Sequence, residues 1–313
     1  MSPGLDHGAL DEPVVRVRGL RMTYGEHEVL AGVDLDVHAG EVICLLGPNG
    51  AGKTTTVEIL EGFRLPSAGE VRVLGEDPAR AGDAWRARVG VVLQSWRDHA
   101  RWTPRRLLTQ LGGYFTPYST PERPRPHDVD QLLGTVGLAE HADRKIGTLS
   151  GGQRRRLDVA VGIIGRPELL FLDEPTAGFD PQARRDFHDL VHRLSDLEGT
   201  TILFTTHDLA EAEKLADRIL ILTNGRIVAD GSAEELTRQV AGTAEVHWAC
   251  GPERFVHPTD DVVPFVRSLF EQHGDELTDL EVRRASLEDT YLAMVQRFEA
   301  GRPAAPVLEE VTR

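Results

Sequence analysis

Gly47-Pro48-Asn49-Gly50-Ala51-Gly52-Lys53-Thr54 leaves an apolar stretch ending at Leu46 and opens a run of helical character over residues 51–61. A glycine-rich turn between a strand and a helix lets consecutive backbone N–H groups curl around phosphate oxygens, and the positive end of the helix adds to their field. Lys53 supplies a point charge for the β- and γ-phosphates, the Thr54 hydroxyl is placed to ligate Mg²⁺, and Thr55 can reach the α-phosphate. The chain has only three lysines, Lys53, Lys145 and Lys214, and one of them falls where such a loop requires it. The expected fold class is therefore α/β, built around a phosphate loop that binds ATP.

Outward from this loop the order stays mixed. Strands are expected at 14–18, 33–37, 41–46, 71–74 and 89–93, divided by Gly- and Pro-marked turns. Residues 101–146 change character: they are rich in Pro and Arg, carry helical segments near 105–114 and 128–136, and read as an inserted helical subdomain of about 95–165. Apolar β-rich runs return at 169–172 and 201–205, of the kind buried on both faces of a parallel sheet. A helix with Pro at its start spans 181–197 between them. Asn224-Gly225 between 218–222 and 226–229 predicts a hairpin that closes the domain. The expected organisation is a flexible tail at 1–12, a main domain over 13–240, a small α/β appendage over 241–300 and a second flexible tail at 301–313. In the appendage, strands are expected at 245–249 and 280–284 and helices at 261–273 and 286–298.

Two further stretches carry chemistry. Leu169-Leu170-Phe171-Leu172-Asp173-Glu174 is a buried strand ending in adjacent carboxylates. Its first acid can hold a magnesium shell, and its second can orient and deprotonate a water for attack on the γ-phosphate. Leu149-Ser150-Gly151-Gly152-Gln153-Arg154-Arg155-Arg156-Leu157 places a serine and two glycines at the start of a helix, a second anion site. One chain already holds the triphosphate in its phosphate loop. A second γ-phosphate site makes sense if it serves nucleotide on another copy, which predicts a head-to-tail homodimer with two ATP molecules at its interface.

In this order and spacing, these elements over about 14–240 resemble the ATP-binding domain of the ABC ATPase family. The resemblance implies a P-loop NTPase core of ABC ATPase type with an antiparallel β subdomain, an inserted helical subdomain and the C-terminal appendage. It assigns Tyr24 to stacking on adenine, Gln94 to a switch linking the metal site with the helical subdomain, and His207 to the γ-phosphate. With Glu174 and Lys53, Gln94 and His207 form the expected catalytic set; Thr54, Gln94 and Asp173 form the expected metal set; and Asp180, with Ser150, Gly151, Gly152 and Gln153, completes the nucleotide contacts. The segment Ala177-Gly178-Phe179-Asp180 carries Phe where the family more usually has Leu. The unusual run 95–101, with Trp96, Arg97 and His99, falls in the region that receives a membrane partner in the family, and it reads equally as a solvated loop. Ser286-Leu287-Glu288-Asp289-Thr290-Tyr291-Leu292 resembles a segment found in ATPase subunits of bacterial exporters of drugs, lipids or polysaccharides, and reads equally as a capped amphipathic helix.

Bulk composition sets the outer limits. Hydrophobic residues at 40% and charged residues at 27% suit a folded chain. A net charge of -15 argues against a broad basic face for nucleic acid, so no nucleic-acid partner is expected. Two distant cysteines, Cys44 and Cys250, suggest neither zinc nor a disulfide framework. The acidic residues 1–13 lack the features of a signal peptide, and no apolar run approaches about 18 residues, so the chain is not expected to cross a membrane itself. The expected function is an ATP-hydrolysing subunit at the cytoplasmic face of a membrane, powering an exporter through a separate transmembrane permease. The alternative is a non-transport ABC ATPase acting in DNA repair or translation.

Overall fold

In the computed structural model, residues 12–92, 99–176, 179, 181–240, 244–251, 253–259, 261–283 and 286–299 are described; Gln94, Trp96, Arg97, Ala177, Gly178 and Asp180 lie outside them. The chain divides into two compact units, Met1–Ile227 and Val228–Arg313.

In chain order the first unit carries β1 (Val15–Tyr24), β2 (His27–Val37), β3 (Val42–Leu46), α1 (Lys53–Leu60), β4 (Ala68–Val73), α2 (Asp83–Arg86), β5 (Val89–Val92), α3 (Pro104–Gly112), α4 (Val129–Thr135) and α5 (Gly151–Ile163). It continues with β6 (Leu169–Asp173), α6 (Pro181–Glu198), β7 (Thr201–Thr206), α7 (Leu209–Leu215), β8 (Arg218–Thr223) and the start of β9 (Arg226–Gly231). Strands β2-β1-β4 form an antiparallel sheet, while the order β5-β6-β7-β3-β8-β9 forms the large sheet, in which β5, β6, β7, β3 and β8 run parallel. β3 and β7 are buried at every position, the pattern expected of parallel strands covered on both faces. One apolar core joins the sheets: Val15, Val17, Leu30 and Leu35 of the antiparallel sheet cluster with Ile43, Leu45, Phe171 and Leu203, and α1 adds Val57, Ile59 and Leu60. Helix α3 packs against α4 and α5.

The Asn224-Gly225 turn has φ of 49° and 70°, the two left-handed residues that a tight hairpin turn demands. Its Gly225 carbonyl accepts the Ala31 N–H of β2 at 2.8 Å, so the turn also ties the large sheet to the antiparallel one.

The second unit contains the rest of β9, α8 (Ala233–Val240), β10 (Ala244–Cys250), β11 (Glu253–Thr259), α9 (Val262–His273), β12 (Leu277–Arg283) and α10 (Leu287–Glu299). Its sheet runs β11-β10-β12, all antiparallel, with α9 packed on β10 and β12. Trp248 stacks on Phe255 at 5.4 Å and meets the edge of Phe265 at 5.6 Å, which seats the helix on the sheet. Helix α10 packs on α8. Among the described residues, no helix is long and apolar enough to cross a membrane.

Candidate functional site

Parallel pairing aligns the carboxyl ends of three neighbouring strands. Leu46 of β3 lies opposite Thr206 of β7, and Asp173 of β6 lies opposite Thr205 of β7. The glycine loop after β3, the acid pair ending β6 and His207 after β7 therefore emerge side by side, at the edge where open parallel sheets bind ligands.

The loop owes its shape to backbone conformations that side chains oppose. Gly50 and Gly52 have φ of 82° and 105°, and a Cβ on Gly52 would stand 2.6 Å from the Leu30 side chain and 3.1 Å from the Val29 carbonyl. Gly52 begins α1 with no side-chain cap. Lys53 donates to the carbonyls of Gly47 at 2.7 Å and Pro48 at 3.2 Å, so its ammonium is held inside the loop. Burial pulls the Lys53 pKa down, against the opposing charges of Glu174 and Asp173. Thr56 of the same helix bonds back to the Gly52 carbonyl through its N–H at 2.8 Å and its hydroxyl at 2.9 Å, which fixes the first turn.

Asp173 and Glu174 are oriented from β7. The Thr205 hydroxyl donates to Asp173 Oδ1 at 2.5 Å and accepts the Glu174 N–H at 3.1 Å, leaving Asp173 Oδ2 facing the Thr54 hydroxyl at 3.4 Å. Two hard oxygen groups so placed suit a small divalent cation that takes its remaining ligands from phosphates and water. Among the described residues, no cluster of three or more His, Cys, Asp or Glu could make a cage from protein alone. Glu174 has φ of 42°, and its Oε1 lies 3.0 Å from His207 Nδ1. An ionised carboxylate can only accept, so this contact puts a proton on Nδ1 of His207.

Tyr24 is exposed, with the Arg64 guanidinium 5.3 Å from its ring centre and Arg64 in turn bonded to Glu58 at 2.6 Å. Thr55 lies in the first turn of α1. Ser150 caps α5: its hydroxyl accepts the Gln153 N–H at 3.3 Å, and Gln153 Oε1 accepts the Ser150 N–H at 3.0 Å. The Gln153 amide nitrogen meets the His141 ring at 2.8 Å, so that side chain is engaged within its own chain. A Cβ on Gly151 would meet nothing within 4 Å, whereas one on Gly152 would touch Ala183 at 3.6 Å. Phe179 meets the buried Phe187 of α6 edge-on at 6.0 Å.

Three buried charged residues that touch the site or its acids, Arg155, Glu211 and Glu61, have no counterpart among the expected site residues. Arg155 on α5 donates from Nε to the Pro175 carbonyl at 2.9 Å and from Nη2 to the Asp173 carbonyl at 3.2 Å. Glu211 on α7 accepts from Thr176 at 2.6 Å and Thr206 at 2.5 Å, joining the segment after Glu174 to the residue before His207. Glu61 ends α1, and burial, with the charges of Asp173 and Glu58, pushes its carboxyl up to about 8. Helical spacing could have exposed the first: Arg155 lies on the buried stripe of Val159 and Ile163, at i, i+4 and i+8.

Fold and site define a nucleotide-hydrolysing protein of the phosphate-loop class. The ABC transporter family model matches residues 30–177. Nod factor export ATP-binding protein I of Ralstonia nicotianae is 38% identical over 311 residues, covering 91% of this chain and 94% of the relative. Doxorubicin resistance ATP-binding protein DrrA of Mycobacterium tuberculosis (strain H37Rv) is 34% identical over 316 residues, covering 91% and 94%. Among solved structures, an ATP-binding cassette of an ABC transporter in its ADP conformation matches with a TM-score of 0.61 at 27% identity, over 71% of this chain and 92% of that one. A dimeric cassette in a post-hydrolysis state bound to ADP and Pi matches with a TM-score of 0.60 at 25% identity, over 70% and 98%. This chain belongs to the ABC transporter family as one of its ATP-binding subunits, an ATPase.

Proposed function

We propose that the chain drives an exporter: two copies bind ATP head to tail at the cytoplasmic face of the membrane and move a separate transmembrane permease. The observation that carries the reading is the convergence of Lys53, Thr54, Asp173, Glu174 and His207 at the ends of three adjacent strands, with Thr54 in hydrogen-bond reach of Asp173 and Glu174 of His207. The names of the relatives, which concern Nod factor export and drug resistance, favour export.

In this reading the bared N–H groups of the loop and Lys53 hold the β- and γ-phosphates, with Tyr24 against the base. Thr54 and Asp173 would hold Mg²⁺, which supplies charge neutralisation on the phosphates. Gln94 joins that metal site, and Asp180 the nucleotide interface, by family resemblance alone. Glu174 takes the proton of the attacking water, and His207, tethered to it, faces the γ-phosphate. The helix begun by Ser150 and Gly151 closes over nucleotide held by the other copy, which excludes water and completes both sites.

The test uses tagged full-length Glu174→Gln. It should retain ATP binding while turnover falls by roughly 10²- to 10⁴-fold, the range for a positioned base. With ATP, and captured from gently solubilised native membranes, it should bring down a polytopic membrane protein in near-equal amount. Wild-type turnover would remove Glu174 from its role, and ribosomes or DNA-repair factors without a membrane partner would overturn the transport reading.

A further inference from the structure

Glu174 is a non-glycine residue with a left-handed backbone, φ of 42°. Such a conformation is sparsely populated and persists only where the surroundings over-determine it. Three backbone contacts do so. Its N–H is held by Thr205, through the carbonyl at 3.2 Å and the hydroxyl at 3.1 Å. The carbonyl before it, of Asp173, and the carbonyl after it, of Pro175, both accept from the Arg155 guanidinium, at 3.2 and 2.9 Å. One planar fork thus spans the residue, and its rigid geometry fixes both carbonyls at once. Arg155 is buried, and on the same inward stripe of α5 as Val159 and Ile163, so its guanidinium follows any rotation of that helix.

We propose that Arg155 is a positioning residue: it locks the Glu174 turn and links that turn to the helix begun by Ser150. The inference rests on the reading in which Glu174 activates water. Arg155 lies five positions after Ser150, a rise of about 7.5 Å along one helix. When the Ser150 end docks on the partner's nucleotide, the same rigid element adjusts the acid that acts on the chain's own nucleotide. Each copy therefore senses, through one side chain, whether the opposite site is filled.

The experiment is a cycle in the full-length chain: Arg155→Met, Arg155→Lys, Glu174→Gln and each Arg155 variant combined with Glu174→Gln. Nucleotide affinity, steady-state kcat and KM for ATP, and single-turnover hydrolysis are measured on each. Arg155→Met should bind ATP within about 3-fold of wild type and lose about 10- to 100-fold in kcat, the scale on which a small misplacement of a reacting group is felt. Wild type, with its two sites coupled through Arg155, should show a sigmoidal ATP dependence, and Arg155→Met a hyperbolic one. Arg155→Lys, which keeps the charge but loses the fork, should fall between Met and wild type. In the Glu174→Gln background neither variant should slow hydrolysis further, because a residue that acts only through Glu174 has nothing left to position. A full repeat of the loss in that background, or a raised KM at unchanged kcat, overturns the proposal. Should Arg155→Met fail to melt cooperatively, the Lys variant carries the same cycle. Wild-type turnover in Glu174→Gln alone would show instead that the underlying reading of the site had failed.

Discussion

Helices α1 and α5 both have glycine at or next to the N-cap and both offer an N-terminus to anions, yet their starts are built in opposite ways. The start of α1 has Gly52 in a left-handed conformation with no side-chain cap, crowded by Leu30 and Val29. The start of α5 closes on itself through the reciprocal Ser150–Gln153 capping box, and open space surrounds Gly151. The loop before α1 is a rigid mould whose shape depends on surrounding packing, whereas the start of α5 is satisfied internally and presents a bare surface. That difference matches a helix that holds its own nucleotide and one that meets a ligand arriving from elsewhere.

The comparison breaks first at Gly52. Gly52→Ala forces a Cβ into Leu30 and strains a φ of 105°, so it should cost about 1–3 kcal/mol in thermal or denaturant unfolding and abolish measurable ATP binding. Retained ATP affinity would mean the loop is not moulded. A smaller effect sharpens the other side. Ser150→Ala removes the cap and should cost about 1 kcal/mol in unfolding, with ATP affinity of the single chain unchanged. Gly151→Ala meets no neighbour, so its melting temperature should stay level or rise, while turnover should fall if the proposed closure of one copy over the other's nucleotide takes place at this surface. Wild-type turnover in Gly151→Ala would show that nothing docks there.

An effect confined to high pH concerns Glu61 at the end of α1. Its folded carboxyl is raised to about 8 from an ordinary 4.5, so the native state binds a proton more tightly than the unfolded chain. Stability from this group is present below about pH 4.5 and is lost as pH rises toward about 8. Glu61→Gln should therefore match wild type near pH 5 and exceed it by on the order of 1–3 kcal/mol at pH 9 in denaturant melts. A pH-independent difference would contradict the burial of that charge.

Much of this was legible in the sequence where local chemistry and position coincide. The strands expected at 41–46, 169–172 and 201–205 are the buried β3, β6 and β7, and Asn224-Gly225 is the turn with both residues left-handed. The family was readable from the same motifs. What escaped lacks a local signature. β1 runs on to Tyr24 and β2 begins at His27 because the exposed ends of an antiparallel sheet need no apolar pattern. β11 is exposed along most of its length and contains Pro258, which a strand tolerates at a sheet edge. Arg155 is betrayed only by its spacing with Val159 and Ile163 on α5, while Glu211 and Glu61 are charged residues whose burial is decided by tertiary partners. Glu211, for instance, is held by Thr176, thirty-five residues earlier, and by Thr206.

Thr205 carries one hydroxyl hydrogen and spends it on Asp173 Oδ1, while its lone pair receives the Glu174 N–H. The two oxygens of Asp173 are thereby made unequal: one is bound into the scaffold and the other is turned to Thr54. The carboxylate has lost its mirror symmetry. A valine at 205 would keep the volume and erase that distinction, whereas a serine would preserve it. A single methyl-bearing alcohol on a neighbouring strand sets the polarity of the whole centre.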